Sequence, residues 1–160
     1  MKINIHSSKL KDAFGKLLTV VDKKNTRPIL STCLLRAADN QIKIFGTDLE
    51  ITAQINLNAQ VENSGSMCIN TKNMYDILRE LPESNLELKI DNEKNMLSLS
   101  CEDISYDLLL NNFNDYPQVS LNNSGKEFKL NSKIVIDIIN KTSHAVSTDE
   151  TRINNRDAPV

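Results

Sequence analysis

Residues 67–82, Met67-Cys68-Ile69-Asn70-Thr71-Lys72-Asn73-Met74-Tyr75-Asp76-Ile77-Leu78-Arg79-Glu80-Leu81-Pro82, read as a strand that turns directly into a helix. Met67 to Asn70 is a short strand-like run, and Thr71 or Asn70 supplies a side-chain oxygen for the first free helical N–H groups. Met74, Ile77, Leu78 and Leu81 then fall at the spacing of one helical face. Pro82 cannot continue a helix and ends it.

The same reading fits two other places. Lys2-Ile3-Asn4-Ile5 runs into Ser7-Ser8-Lys9-Leu10, where Ser7 or Ser8 is the expected cap, and Leu10, Phe14, Leu17 and Val21 form an apolar stripe in a helix expected over 7–24. Phe128-Lys129-Leu130-Asn131 runs into Ser132-Lys133-Ile134-Val135, with Ser132 as expected cap and Ile134, Ile138 and Ile139 on a stripe. The lysines that follow the caps, Lys9, Lys72 and Lys133, recur 63 and then 61 residues apart. A near-constant interval marks one supersecondary unit used repeatedly.

Between the helices the pattern is strand. Leu30 to Arg36, Gln41 to Phe45, and Ile51-Ala53-Ile55-Leu57 precede the second unit, with turn chemistry at Ala38-Asp39-Asn40. After the second helix come Leu86-Leu88-Ile90, Leu97-Leu99-Cys101 and Ile104-Tyr106-Leu108-Leu110. Each unit is therefore β-α-β-β-β. Period-two alternation buries one sheet face and each helix has one apolar stripe, so two units can close one helix-on-sheet core. This predicts an α+β fold with a first domain over 1–121, a polar junction at 122–125, and an incomplete third unit over 126–160 whose helix lacks a sheet to cover it.

Composition agrees with a globular chain. Of 160 residues, 39% are apolar, enough for a core, and 25% are charged. No apolar run approaches the roughly 20 residues that span a bilayer, and the N-terminus has no apolar leader segment, so no membrane partner and a cytoplasmic location are expected. Cys33, Cys68 and Cys101 are an odd number without metal-ligand spacing, which favours buried free thiols.

The formal net charge is -2, yet the three predicted helices together carry a positive excess and the remainder a negative one. A positive helical layer suits phosphates, although lysine on a surface helix is ordinary. Catalytic chemistry finds little support. Asp48 and Glu50 form a compact acidic pair two residues apart; a metal-dependent enzyme built on it is a remote alternative to Thr47 and Asp48 satisfying backbone groups at a turn. His6 and His144 have no nucleophile arranged beside them, and four scattered glycines make no phosphate-cradling loop. No cofactor, metal or catalytic residue is expected.

The repeat, together with Thr26-Arg27-Pro28-Ile29-Leu30, Gly46-Thr47-Asp48-Leu49-Glu50 and Phe113-Asn114-Asp115-Tyr116-Pro117, resembles the bacterial DNA polymerase III beta sliding clamp family from Met1 to about Arg152. That resemblance implies the DNA clamp fold: a head-to-tail homodimer of three-domain subunits, sheets outside, helices lining a hole around double-stranded DNA. It implies a non-catalytic processivity factor that tethers the DNA polymerase III catalytic subunit and is placed by a clamp loader. The family's basic DNA-contacting positions fall on Lys24 and Lys72, with Lys9 the equivalent of Lys72 in the first unit. A further contact region falls on Asp149, Ile153 and Asn154, where family members often carry polar and aromatic residues. The family's first-domain share of the dimer interface falls on Asn73, Leu78, Leu81, Tyr106 and Leu108, although the apolar ones would equally fill the domain's own core.

Residues 153–160 do not follow the family pattern, and the middle domain's remainder, the third domain and the groove for polymerase and loader peptides have no counterpart here. A chain of this length is not expected to close a ring. The alternative expectation is a truncated clamp that pairs with a full-length one and blocks ring closure.

Overall fold

The computed structural model describes residues 1–21, 27–91, 93–117 and 129–143. In chain order the elements are β1 (Lys2–His6), α1 (Ser7–Leu17), β2 (Thr32–Ala38), β3 (Gln41–Thr47), β4 (Thr52–Asn58), β5 (Gln60–Asn63), β6 (Gly65–Asn70), α2 (Thr71–Glu80), β7 (Asn85–Asp91), β8 (Met96–Cys101), β9 (Ile104–Leu109) and α3 (Ser132–Thr142). They fall into two units, Met1–Ser120 and Leu121–Val160.

In the first unit the strands make a five-stranded antiparallel sheet, β5-β1-β7-β8-β9, and a four-stranded one, β4-β3-β2-β6. The two repeats exchange their first strands. β1 pairs with β7 of the second repeat, Ile3 opposite Leu88, while β6 returns to pair with β2 of the first, Cys33 opposite Ile69. Each sheet thus holds strands of both repeats, and one core forms between them. Leu10, Phe14 and Leu17 of α1, Met74 and Leu78 of α2, and alternate residues of both sheets are buried in it. Each such side chain contributes about 1.5–3 kcal/mol of transfer free energy. Gly15 sits where a Cβ would stand 3.2 Å from the Tyr75 ring, so its lack of a side chain lets α1 and α2 approach.

The four-stranded sheet is covered on its other face as well. Leu34, Phe45 and Cys68 form a second cluster with Tyr116, whose hydroxyl donates to the Phe45 carbonyl at 3.0 Å. The segment carrying Tyr116 is tied to β6 by Asn111 N–H donating to the Cys68 carbonyl at 2.8 Å. The expected turn at Ala38-Asp39-Asn40 is a tight hairpin in which Asp39 and Asn40 both have positive φ, 50° and 55°.

Several local expectations are corrected. Helix α1 has regular form only to Leu17. Thr19 Oγ1 donates back to the Lys16 carbonyl, and the branched Thr19-Val20-Val21 run closes as turns onto Lys16 and Leu17. Its N-cap position is His6, with no side-chain cap; Ser7 instead donates its hydroxyl to the Pro82 carbonyl at 2.7 Å and its N–H to Ser84. Asn70 caps α2 by accepting from Asn73 N–H at 2.9 Å, and Asn131, not Ser132, caps α3 by accepting from Lys133 N–H at 2.9 Å. The strand expected from Leu30 begins at Thr32, because Pro28–Ser31 forms a 3₁₀ turn with proline at its start and Ser31 bonded back to the Pro28 carbonyl. β5 was not expected: Gln-Val-Glu-Asn offers one apolar residue, as befits an edge strand.

In the second unit α3 carries Ile134, Ile136, Ile138 and Ile139, all about half exposed, while Lys141 pairs with Asp137 at 2.8 Å.

Candidate nucleic-acid interface

The polar sides of α1 and α2 form the layer that the charge distribution singled out. On α1, Lys9, Asp12 and Lys16 are exposed, whereas Lys11 turns to Glu83 at 3.1 Å. Lys9 and Lys16 make no ion pair among the described residues. They lie seven residues apart, two helical turns, and so share a face, with Asp12 between them reducing the net field. Lys16 was not singled out from sequence; its seven-residue spacing from Lys9 was the available signal.

On α2, Lys72 is exposed and paired with Asp76 at 3.0 Å, one turn on. Arg79 pairs with Glu80 at 3.2 Å. Exposed pairs of this kind contribute about 0–1 kcal/mol, so a phosphate can displace the carboxylate at small cost. Lys24, Asp149, Ile153 and Asn154 lie outside the described residues, as does His144.

The positions assigned to a subunit interface separate into two groups. Leu78 and Leu81 are 1% and 6% exposed and belong to the domain core, so their side chains are not available to a partner. Asn73 and Tyr106 are exposed, and Leu108 is partly buried against the core. Tyr106 and Leu108 lie on β9, the edge strand of the five-stranded sheet, which also exposes Ile104 and Leu109.

The chemistry-bearing residues elsewhere have structural partners. Asp48 Oδ1 accepts from the N–H groups of Glu50 and Ile51 at 3.0 and 2.7 Å, closing the β3–β4 turn. Among the described residues no three or more His, Cys, Asp or Glu side chains converge to hold a metal. His6 Nδ1 is 2.7 Å from Ser8 Oγ. It borders an open cleft of about 800 Å³, lined also by Asn4, Lys9, Asp39, Gln41, Asn58 and Gln60. Cys33, Cys68 and Cys101 are buried and free, and burial raises all three thiol pKa values above the ordinary range. Among the described residues no helix is long and apolar enough to cross a membrane.

A doubled β-α-β-β-β unit with exchanged first strands and a paired-helix layer over antiparallel sheets defines a DNA clamp domain. Residues 1–121 match the family model for the DNA polymerase III beta subunit, N-terminal domain, and the chain belongs to that family. A beta sliding clamp of Caulobacter vibrioides (strain NA1000 / CB15N) is 29% identical over 153 residues, covering 95% of this chain and 41% of the relative. One of Chlamydia muridarum (strain MoPn / Nigg) is 28% identical over 152 residues, again 95% and 41%. The crystal structure of a DNA polymerase sliding clamp from Caulobacter crescentus superposes with a TM-score of 0.88 at 29% identity, covering 95% of this chain and 41% of that one. The chain spans about two-fifths of the length of these relatives.

Proposed function

We propose that this chain forms the first domain, residues 1–121, and through a linker at 122–125 the opening of the middle domain, residues 126–160, of a DNA polymerase III beta sliding clamp. The observation that supports this most is the family match across residues 1–121, carried by a fold that sets two helices side by side. In this reading the α1–α2 layer faces duplex DNA in a closed head-to-tail ring. Lys9, Lys16, Lys24 and Lys72 attract phosphates without reading bases, and Asp149, Ile153 and Asn154 border the same path. Contacts that are few, exposed and partly neutralised leave the ring free to slide.

The protein is then a non-catalytic tether. It raises the local concentration of the polymerase catalytic subunit at the primer end, and a clamp loader places it on DNA in the cytoplasm. Asn73, Tyr106 and Leu108, with the rest of the β9 edge, supply this domain's part of the subunit contact. Primer extension on a long single-stranded circle tests the reading. The complete ring should lengthen products made in one binding event, and the 160-residue chain by itself should not.

The exposed β9 edge also favours a second reading, in which the chain alone pairs with a full-length clamp and blocks ring closure. Titrating it into full-length clamp and finding no mixed dimer would remove that reading.

A further inference from the structure

The outer face of the four-stranded sheet carries a feature that the clamp reading does not use. Arg36 on β2 stands directly opposite Lys43 on β3, and both are exposed. Like charges in directly opposed positions destabilise a sheet. The same row continues outward to Asn56 on β4 and Ser66 on β6. The row on one side holds Gln54, Phe45, Leu34 and Cys68, and Gln41 pairs with Asn58 on the other. No strand residue in these three rows is acidic, in a chain with 21 acidic residues and 19 lysines and arginines. Among the described residues neither Arg36 nor Lys43 makes an ion pair. Arg36 instead lies over the Phe45 ring, 5.7 Å from its centre, which restrains the guanidinium and leaves its donors for an outside acceptor.

The face already holds one short segment, which includes a 3₁₀ turn at Phe113–Asp115. The chain's own Asn111–Tyr116 stretch lies against Leu34, Phe45 and Cys68, anchored through Tyr116 and Asn111. Asp115 of that stretch makes no ion pair with Arg36 or Lys43 among the described residues. The row beside it is polar and exposed, with two cations and with amide and hydroxyl side chains that can bond a peptide backbone.

We propose that the Arg36–Lys43 row is a docking strip for an acidic peptide segment of a partner protein, with Arg36 forking onto one carboxylate and Lys43 pairing with the next. Nucleic acid fits the strip less well. Two cations engage few phosphates, and Phe45, 8% exposed, presents no ring face for a base.

The test is amide-shift mapping by NMR on the 160-residue chain, with an oligo-glutamate peptide as probe and oligo-thymidylate as competitor. Saturable shifts centred on Arg36, Lys43, Asn56 and Ser66 are expected. Arg36→Gln with Lys43→Gln should weaken binding about fivefold, the size two exposed ion pairs supply, and Lys9→Gln with Lys16→Gln should not. If the double variant melts early, Lys43→Gln alone, which removes no ring contact, carries the comparison. The proposal is overturned if the strip shows no saturable shifts, if the shifts centre on α1 and α2, if the strip variants bind as tightly as the parent, or if oligo-thymidylate takes the strip in preference to the peptide.

Discussion

Gly46 and Tyr116 act from opposite sides of β3. A Cβ at Gly46 would stand 2.9 Å from Leu17 Cδ2 and 3.0 Å from Val21 Cγ2, both on the packed side of the first helix and its closing turn. Gly46→Ala is therefore expected to lower stability by about 1–3 kcal/mol, read by urea denaturation, because the packed Leu17 and Val21 side chains must give way to one methyl group. Tyr116→Phe keeps the ring in its cluster and removes only the bond to the Phe45 carbonyl, with an expected loss of about 1 kcal/mol in the same experiment. The buried thiols and Tyr116 also set an alkaline limit. Burial raises their pKa values above the ordinary 9.0 and 10.0, and Lys2 is raised above 10.5 by its bonds to Glu87 and Glu62. A raised folded-state pKa contributes stability that is complete below the unfolded value and is lost as pH rises through the window between the two. Melting temperature should therefore be level near neutrality with respect to these groups and fall from about pH 9 upward; a rise there would contradict the burial of these groups.

At the scale of elements, the strand-to-helix junctions decide which side-chain substitutions matter. Asn70→Ala removes the cap on Asn73 N–H and should cost about 1 kcal/mol in urea denaturation. Ser132→Ala should leave the α3 amides as protected from hydrogen exchange as before, while Asn131→Ala should expose the first turn. These contrasts also mark what the sequence made legible. Among the described residues, the helices and eight of the nine strands announce themselves through apolar spacing, because a period of 3.6 or 2 reports directly which face is buried. Cap positions shift by one residue because a serine or asparagine on either side of the boundary can serve, and backbone geometry decides between them. Val61 alone could not advertise β5. The exchange of β1 and β6 between repeats leaves no local mark, since it depends on which sheet edge each strand meets after folding. At the candidate interface the lysines were legible as cations, but their partners were not. Nothing local to Lys11 shows that it turns to Glu83, and Leu78 and Leu81 read equally as core or as interface until their burial is seen.

For the whole molecule, the clamp reading rests on topology more than on affinity. The helical layer presents few uncommitted cations, and an open domain with that layer should bind duplex DNA weakly and without sequence preference. In the polypeptide that closes a ring, Lys9→Gln with Lys16→Gln should lower the salt dependence of DNA binding by about 1–2 units of slope, while changes of DNA sequence should leave binding unaltered. The most direct measurement is retention of the loaded ring on nicked circular plasmid, followed by gel filtration before and after linearising the DNA. The account predicts that the protein travels with the circle at a salt concentration that abolishes simple binding, and is lost when a cut opens an end. Equal retention on circular and linear DNA, or none on either after loading, would contradict it.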